Sequence, residues 1–330
     1  MTLPKISIVT PSFNQGKYIE QTILSVLDQN YPNLEYIIMD GGSTDDTVEI
    51  IKKYEDRISY WISEKDNGQT DAINKGFARC TGNVFNWINS DDYYEPGALL
   101  TIGKFFNENP SADVVCGKEW SFETDAPEKK TLNPGSVIKE NIFETIRIGI
   151  IDQPCSFFRS DKIKDFFPLN VSLKYAMDRQ LWWLYLLKYG QQNILQINEV
   201  LTNFRLHSQS KSVIDGVIFE TEYDRLRISL FEELGAPDLL KKELTENIIP
   251  VESKWQIDIE PSDFILAAFA SFYAERHYVK DDLITTSKLM KYVKKWKKNR
   301  MNQKEKKLWL AANAIPHSLT MGLKKLKNSI

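Results

Sequence analysis

Val84-Phe-Asn-Trp-Ile-Asn-Ser-Asp-Asp-Tyr-Tyr-Glu-Pro96 is the stretch whose reading decides the fold. Its first half, Val84 to Ile88, is a short apolar run of the kind that forms a buried strand. The run breaks into Asn89-Ser90-Asp91-Asp92, and Pro96-Gly97 then punctuates the entry to a helix. Two adjacent carboxylates repel each other, and the carboxyl end of a central strand is where open α/β sheets place ligands. A divalent cation relieves that repulsion, and Mg²⁺ or Mn²⁺ prefers carboxylate oxygen shared with substrate phosphates. The same two residues could instead cap the following helix, so the pair by itself leaves both readings open.

Upstream, strand and helix patterns alternate. Ile6 to Thr10 reads as a strand that breaks at Pro11-Ser12-Phe13-Asn14, and Tyr18 to Gln29 has apolar residues at a helical period. Glu35 to Met39 is a second buried strand, ending at Asp40-Gly41-Gly42-Ser43-Thr44-Asp45, where Ser43 or Thr44 can cap a helix to about Tyr54. Ile58 to Ile62 is a third strand, Asp66-Asn67-Gly68 a polar turn, and Ala72 to Ala78 a helix. After the opening stretch come a helix to about Asn107 and a strand at Val114 to Gly117. This alternation predicts an α/β fold, a mostly parallel sheet flanked by helices. Its polar clusters (Asn14, Asp40 to Ser43, Asn89 to Asp92) would converge, because the carboxyl ends of neighbouring parallel strands share one edge. Neither a dinucleotide fingerprint nor a P-loop follows any strand, so an anion site would rely on metal, Lys75 and backbone N–H groups.

From about Glu119 the pattern loosens and reads as a mobile connection. Strand character returns at Gln153 to Arg159, Ile194 to Ile197 and Val200 to Phe204, with a long helix from Tyr175 carrying Asp178 in its first turn. After about Val213 the pattern is helical, with segments near 216–235, 262–277, 281–299, 303–313 and 317–328. Two regions follow: residues 1–213 as the ligand-binding body and 214–330 as an all-helical C-terminal region.

Composition is that of a soluble globular protein, 42% hydrophobic and 26% charged. Cys80, Cys116 and Cys155 show no disulfide or zinc spacing, which fits a reducing, cytoplasmic setting. No signal-peptide pattern opens the chain, and no apolar run approaches the ~20 residues that span a bilayer. The net charge of −3 hides a polarity: residues 288–330 carry 13 Lys and Arg against one acid, and the remainder 29 against 44. Lys288 to Lys298 puts Leu289, Tyr292, Val293 and Trp296 at helical spacing against a lysine-rich face, which suits an anionic membrane surface or a solvated helix face. Nucleic acid is not the expected partner.

Thr10-Pro-Ser-Phe-Asn14, Asp40-Gly-Gly-Ser-Thr-Asp45, Asn67-Gly68 through Asn74-Lys-Gly76, and Asn89-Ser-Asp-Asp92 stand in order at element boundaries. This set resembles the family 2 glycosyltransferases, inverting enzymes of the Rossmann-like GT-A fold, over roughly residues 4 to 212. The resemblance implies transfer of a single sugar from a nucleotide-sugar donor, commonly a UDP-sugar, to a glycan or lipid-linked glycan acceptor in cell-surface polysaccharide synthesis. It assigns Pro11, Ser12, Phe13, Asn14, Asp40, Gly41, Ser43, Asp66, Gly68, Lys75, Asn89, Ser90 and Asp91 to the donor, with Asp91 at the ribose or the metal. Asp92, with His207 from the late loop that also holds Ser210 and Ser212, is implied to ligate Mg²⁺ or Mn²⁺, and Asp178 to be the catalytic base. A lipid-linked acceptor would bring the enzyme to the inner face of the cytoplasmic membrane as a peripheral protein. Asn89 departs from the family's usual first carboxylate, Ile73 stands where many relatives have arginine, and the processive Gln-x-x-Arg-Trp motif is absent. The rival expectation is a non-catalytic sugar-nucleotide-binding module on the same fold.

Overall fold

In a computed structural model of the chain, the strand Ile6–Ser12 (β1) is buried along its whole length and pairs in parallel with β2 (Leu34–Asp40) and β4 (Val84–Trp87). β2 pairs in parallel with β3 (Tyr60–Ser63). The structure describes residues 2–208, 210, 216–244, 248–298 and 300–313. Helices α1 (Ile19–Leu27), α2 (Thr47–Lys53) and α3 (Gln69–Phe77) return the chain between these strands. Then follow β5 (Tyr93–Tyr94), α4 (Ala98–Glu108), β6 (Val114–Glu123), β7 (Lys130–Asn133), α5 (Ile142–Ile148), β8 (Ser156–Arg159), α6 (Ser160–Ile163), α7 (Met177–Tyr189) and β9 (Ile194–Leu206). The helical end comprises α8 (Gly216–Glu233), α9 (Asp238–Lys241), α10 (Asp263–Val279), α11 (Leu283–Lys297) and α12 (Gln303–Asn313). The segment expected near 317–328 lies outside the described residues.

The strand period of two sorts the core into two layers. Ile6, Ile8, Tyr36, Ile38 and Val84 pack under α1, α2 and α4, whereas Val9, Ile37, Met39, Phe85 and Trp87 face α3 and α7. Gly76 lets α3 lie directly on β1: a Cβ there would come within 2.5 Å of Val9 Cγ1. α7 is buried on nearly every side, with Trp182, Trp183 and Tyr185 at 0% exposure. A helix apolar all round is a core helix, and α8 and α10 cover this one through Phe231 and Phe269. The helical region therefore shares one core with the sheet.

Two connections differ from expectation. β6 runs to Glu123 and turns into a hairpin with β7, pairing Trp120 with Leu132, where a mobile connection was expected. β7 is exposed and polar, so it carries no apolar alternation for a pattern reading to detect. The two strands expected between Ile194 and Phe204 are one, because irregular register around Lys118 absorbs the polar Asn198-Glu199 in a bulge. Half of the sheet is consequently mixed rather than parallel.

Candidate active site

β8 is antiparallel to both β4 and β6, so β6 runs in the direction of β4, and β9 is parallel to β6. The carboxyl ends of β1, β2, β3, β4 and β9 accordingly open on one edge. There the loop after β1 is tied to the loop after β2. Asn14, held at φ +52°, donates from its N–H to Ser43 Oγ at 2.7 Å and accepts from Thr44 N at 2.8 Å. Gly16 N donates to Asp45 at 2.9 Å. Phe13 projects between them at 58% exposure, while Pro11 and Ser12 are buried at the strand end.

Asp40 is 2% exposed, and its oxygens accept from Gly42 N, Ser43 N, Ser43 Oγ (2.5 Å) and Ser63 Oγ (2.6 Å). The carboxylate expected at the nucleobase is thus occupied in shaping its own loop. Gly41 passes so close to Asp66 that a Cβ would sit 2.9 Å from Asp66 Oδ2. Burial raises the pKa of Asp66, offset in part by the N–H of Gly68, which opens α3 at φ +103°. Lys75 lies 3.3 Å from Asp71 and 3.5 Å from Glu64, so reaching a phosphate would mean leaving two carboxylates.

The turn after β4 separates its two aspartates. Asp92 is 1% exposed; it accepts Arg205 N at 2.9 Å and Asn89 Nδ2 at 3.3 Å. Burial, and then the charge of Asp91, lifts its pKa well above the ordinary carboxylate value. Asp91 turns the other way, its Oδ2 3.0 Å from His207 Nε2 although 116 residues separate them. Asp92 thus braces β9 from beneath, and the carboxylate that meets His207 is Asp91. Arg205 fixes both, with Nε on Asp91 O at 2.8 Å, a guanidinium nitrogen on Gln21 Oε1 at 2.6 Å, and its plane over the Tyr18 ring, which also packs 4.8 Å from the His207 ring. Ser210 closes the turn by accepting His207 N, Ser90 is buried, and Ser212 lies outside the described residues.

Among the described residues no cage of three or more His, Cys, Asp or Glu side chains gathers. One carboxylate oxygen and one imidazole nitrogen are too few for a self-sufficient metal site. They fit Mg²⁺ or Mn²⁺, which keeps several waters and takes further oxygens from a substrate diphosphate.

The segment leading into α7, whose first turn carries Asp178, is tied to the start of α3 through hydrogen bonds. Asn89 Oδ1 accepts Gln69 Nε2 at 2.6 Å, Thr70 Oγ1 donates to Leu173 O, and Asn74 bonds Leu169 twice at 2.8 Å, so the approach to α7 is fastened to the start of α3. The cap of α7 is not Asp178. Glu222 of α8 accepts the N–H groups of Lys174, Tyr175 and Ala176 within 2.9 Å. Among the described residues the Asp178 carboxylate accepts Arg179 N at 2.7 Å, and burial raises its pKa from 3.8 to about 6.

Pattern reading missed several participants. Glu119 and Asp152 form a carboxyl pair that burial pushes upward; the charge of Asp152 raises Glu119 further, whereas hydrogen bonding with Glu119 partly offsets the rise at Asp152, and Asn133 Nδ2 donates to Glu119 at 2.9 Å. Gln153 Nε2 binds Asn86 Oδ1 at 2.7 Å and Trp87 O at 2.8 Å directly below Asn89. Tyr18, Gln21 and Glu222 belong with them. Only Gln153-Pro154, a polar break at a strand start, carried a local signal.

Residues 7–167 match the family described as Glycosyl transferase family 2. The chain is 31% identical over 213 residues to a putative teichuronic acid biosynthesis glycosyltransferase, TuaG, of Bacillus subtilis, covering 63% of this chain and 82% of that one. It is 29% identical over 212 residues to an uncharacterized glycosyltransferase of Rickettsia typhi, covering 62% of this chain and 64% of that one. Among solved structures, residues 1–349 of S. aureus TarS in complex with UDP-GlcNAc align at a TM-score of 0.60, 16% identity, over 94% of this chain and 90% of that one. The mannosyltransferase PcManGT of Pyrobaculum calidifontis, in complex with GDP-Man and Mn²⁺, aligns at 0.54, 12% identity, over 95% and 81%. The structures establish the GT-A-like fold and the relatives the family: this chain belongs to glycosyl transferase family 2 and is a glycosyltransferase.

Proposed function

We propose that the protein transfers one sugar, with inversion, from a nucleoside diphosphate donor, a UDP-sugar in the first instance, to a hydroxyl of a glycan or lipid-linked glycan. The observation that carries this reading is the meeting of Asp91 and His207 at an edge where the loops after β1, β2 and β3 also gather. A divalent cation shared between these two residues and the diphosphate would offset the charge that builds on the leaving group. Asn14, Ser43 and the N–H groups of their stitched loops supply the walls for the nucleoside. Asp178 is the base: with a pKa near 6 it is ionised at neutral pH yet basic enough to take a hydroxyl proton. Attack from the side opposite the diphosphate inverts the anomeric carbon, and the missing Gln-x-x-Arg-Trp motif favours a single transfer. The TarS neighbour holds a UDP-sugar and the archaeal neighbour a GDP-sugar with Mn²⁺, so the fold admits either base. The name of the Bacillus relative points to cell-surface polysaccharide synthesis, and hence to work on the cytoplasmic side of the membrane.

Calorimetry of UDP binding with and without Mn²⁺ tests the assignment. Asp91→Ala and His207→Ala each lose the Mn²⁺-dependent part of the affinity. Asp178→Asn keeps it and loses transfer of labelled sugar. Full Mn²⁺-dependent binding by Asp91→Ala would overturn the ligand assignment.

A further inference from the structure

α11 contains no acidic residue, and its side chains divide into two opposed faces. Thr286, Leu289, Met290, Val293 and Lys297 are buried, and α10 and α12 are its packing partners. On the opposite side Ile284, Lys288, Lys291 and Lys295 follow one another at i, i+4, i+7 and i+11, all exposed, with Lys294 alongside. The ion pairs of α11 and α12 run through Lys297 to Glu305 and Lys304 to Glu275; among the described residues none of the four outward lysines has a carboxylate in reach. Like charges at three- and four-residue spacing work against a helix, and among the described residues no ion pair offsets them here.

The border of this face is aromatic and apolar. Tyr292 and Trp296 stack at 5.3 Å, Lys294 lies 4.2 Å over the Trp309 ring, and Ile284 and Leu310 are 71% and 47% exposed. We propose that this lysine face of α11, with its flanking aromatics, docks the enzyme on an anionic lipid surface. The occupant follows from charge and shape. Residues 288–330 carry +12 and the remainder of the chain −15, so an anionic plane attracts this face and turns the acidic body away. A single convex helix roughly 22 Å long meets a plane, and Ile284 and Leu310 give it apolar groups to insert, which a strand of nucleic acid would leave in water. No described helix is long and apolar enough to cross a bilayer, so the attachment is peripheral.

Sedimentation of the full chain with vesicles tests this independently of donor chemistry. The protein pellets with vesicles of phosphatidylcholine plus phosphatidylglycerol, stays in solution with phosphatidylcholine alone, and is released by salt. The combined Lys288→Glu, Lys291→Glu and Lys295→Glu variant partitions about a hundredfold less, while the matching Arg variant partitions like the parent. Unchanged far-ultraviolet circular dichroism and thermal midpoints show that both variants fold. Undiminished pelleting of the Glu variant, equal binding to neutral vesicles, or capture by soluble heparin without any by anionic vesicles overturns the proposal.

Discussion

Glu35, at the amino-terminal edge of the sheet, and Asp92, at the carboxyl edge, are both buried carboxylates, and their surroundings treat them in opposite ways. Burial alone would raise Glu35. Instead Lys5 Nζ at 2.7 Å, Ser7 Oγ at 2.5 Å, and Thr81 N and Oγ1 at 2.7 and 2.6 Å hold it down to about 2. Asp92 has Asp91 beside it and is pushed well up; Asp178 sits near 6, and Glu119 and Asp152 are pushed up together. Asp45 is the exception at that edge, lowered by Thr47 and Gly16 against the effect of burial because it ties two loops together. One end of the sheet is electrostatically closed and serves stability. At the other, Asp40 and Asp45 are well supplied with donors but Asp92 is not held down, and a cation and sugar hydroxyls are groups that would complete it.

The sharpest way to break this comparison is Asp178→Asn. Loss of a general base should slow transfer about 10²–10⁴-fold with donor binding preserved, and the parent's rate should fall below about pH 6 as Asp178 protonates. Transfer within tenfold of the parent would remove the carboxyl edge from the chemistry.

Next in size is Glu35→Gln at the closed edge, expected to destabilise by about 2 kcal/mol, a figure reduced for the partly exposed Lys5. Because the pKa of Glu35 is depressed when folded, its contribution is present above about 4.5 and is lost as pH falls through about 2. Urea midpoints across that range measure it, with transfer per folded molecule unchanged. The smallest effect has the opposite sign. Asp178 has a raised pKa when folded, so its stability is intact below 3.8 and is lost as pH rises through about 6. Asp178→Asn should therefore gain about 1–2 kcal/mol at pH 8 and nothing near pH 3. A loss of stability at pH 8 would place Asp178 on the closed side of the comparison.

Much of the fold was legible in local pattern. The runs at Ile6, Glu35 and Val84 read as strands because they are short and dominated by apolar residues, and in the structure even their polar members Ser7, Glu35 and Asn86 are buried. The β6–β7 hairpin was not, since an exposed edge strand of Lys130, Thr131 and Asn133 looks like a loop. At the site, Asp91 stood out as one of an adjacent acidic pair at a strand end, whereas Asp178 and His207 were singled out only through the family resemblance. Which aspartate of the adjacent pair faces the cleft had no signature along the chain.

By itself the amino-acid sequence determined the elements, their order and the edge where polar loops collect, because periodicity and turn chemistry act over a few neighbouring residues. Tertiary structure alone decided the partnerships: Asp91 with His207, Asp92 beneath Arg205, Glu222 over the start of α7, and the lysines of α11 left facing outward. Burial and hydrogen bonding are set by residues that strand order brings together from a hundred positions away, and no local pattern encodes that order.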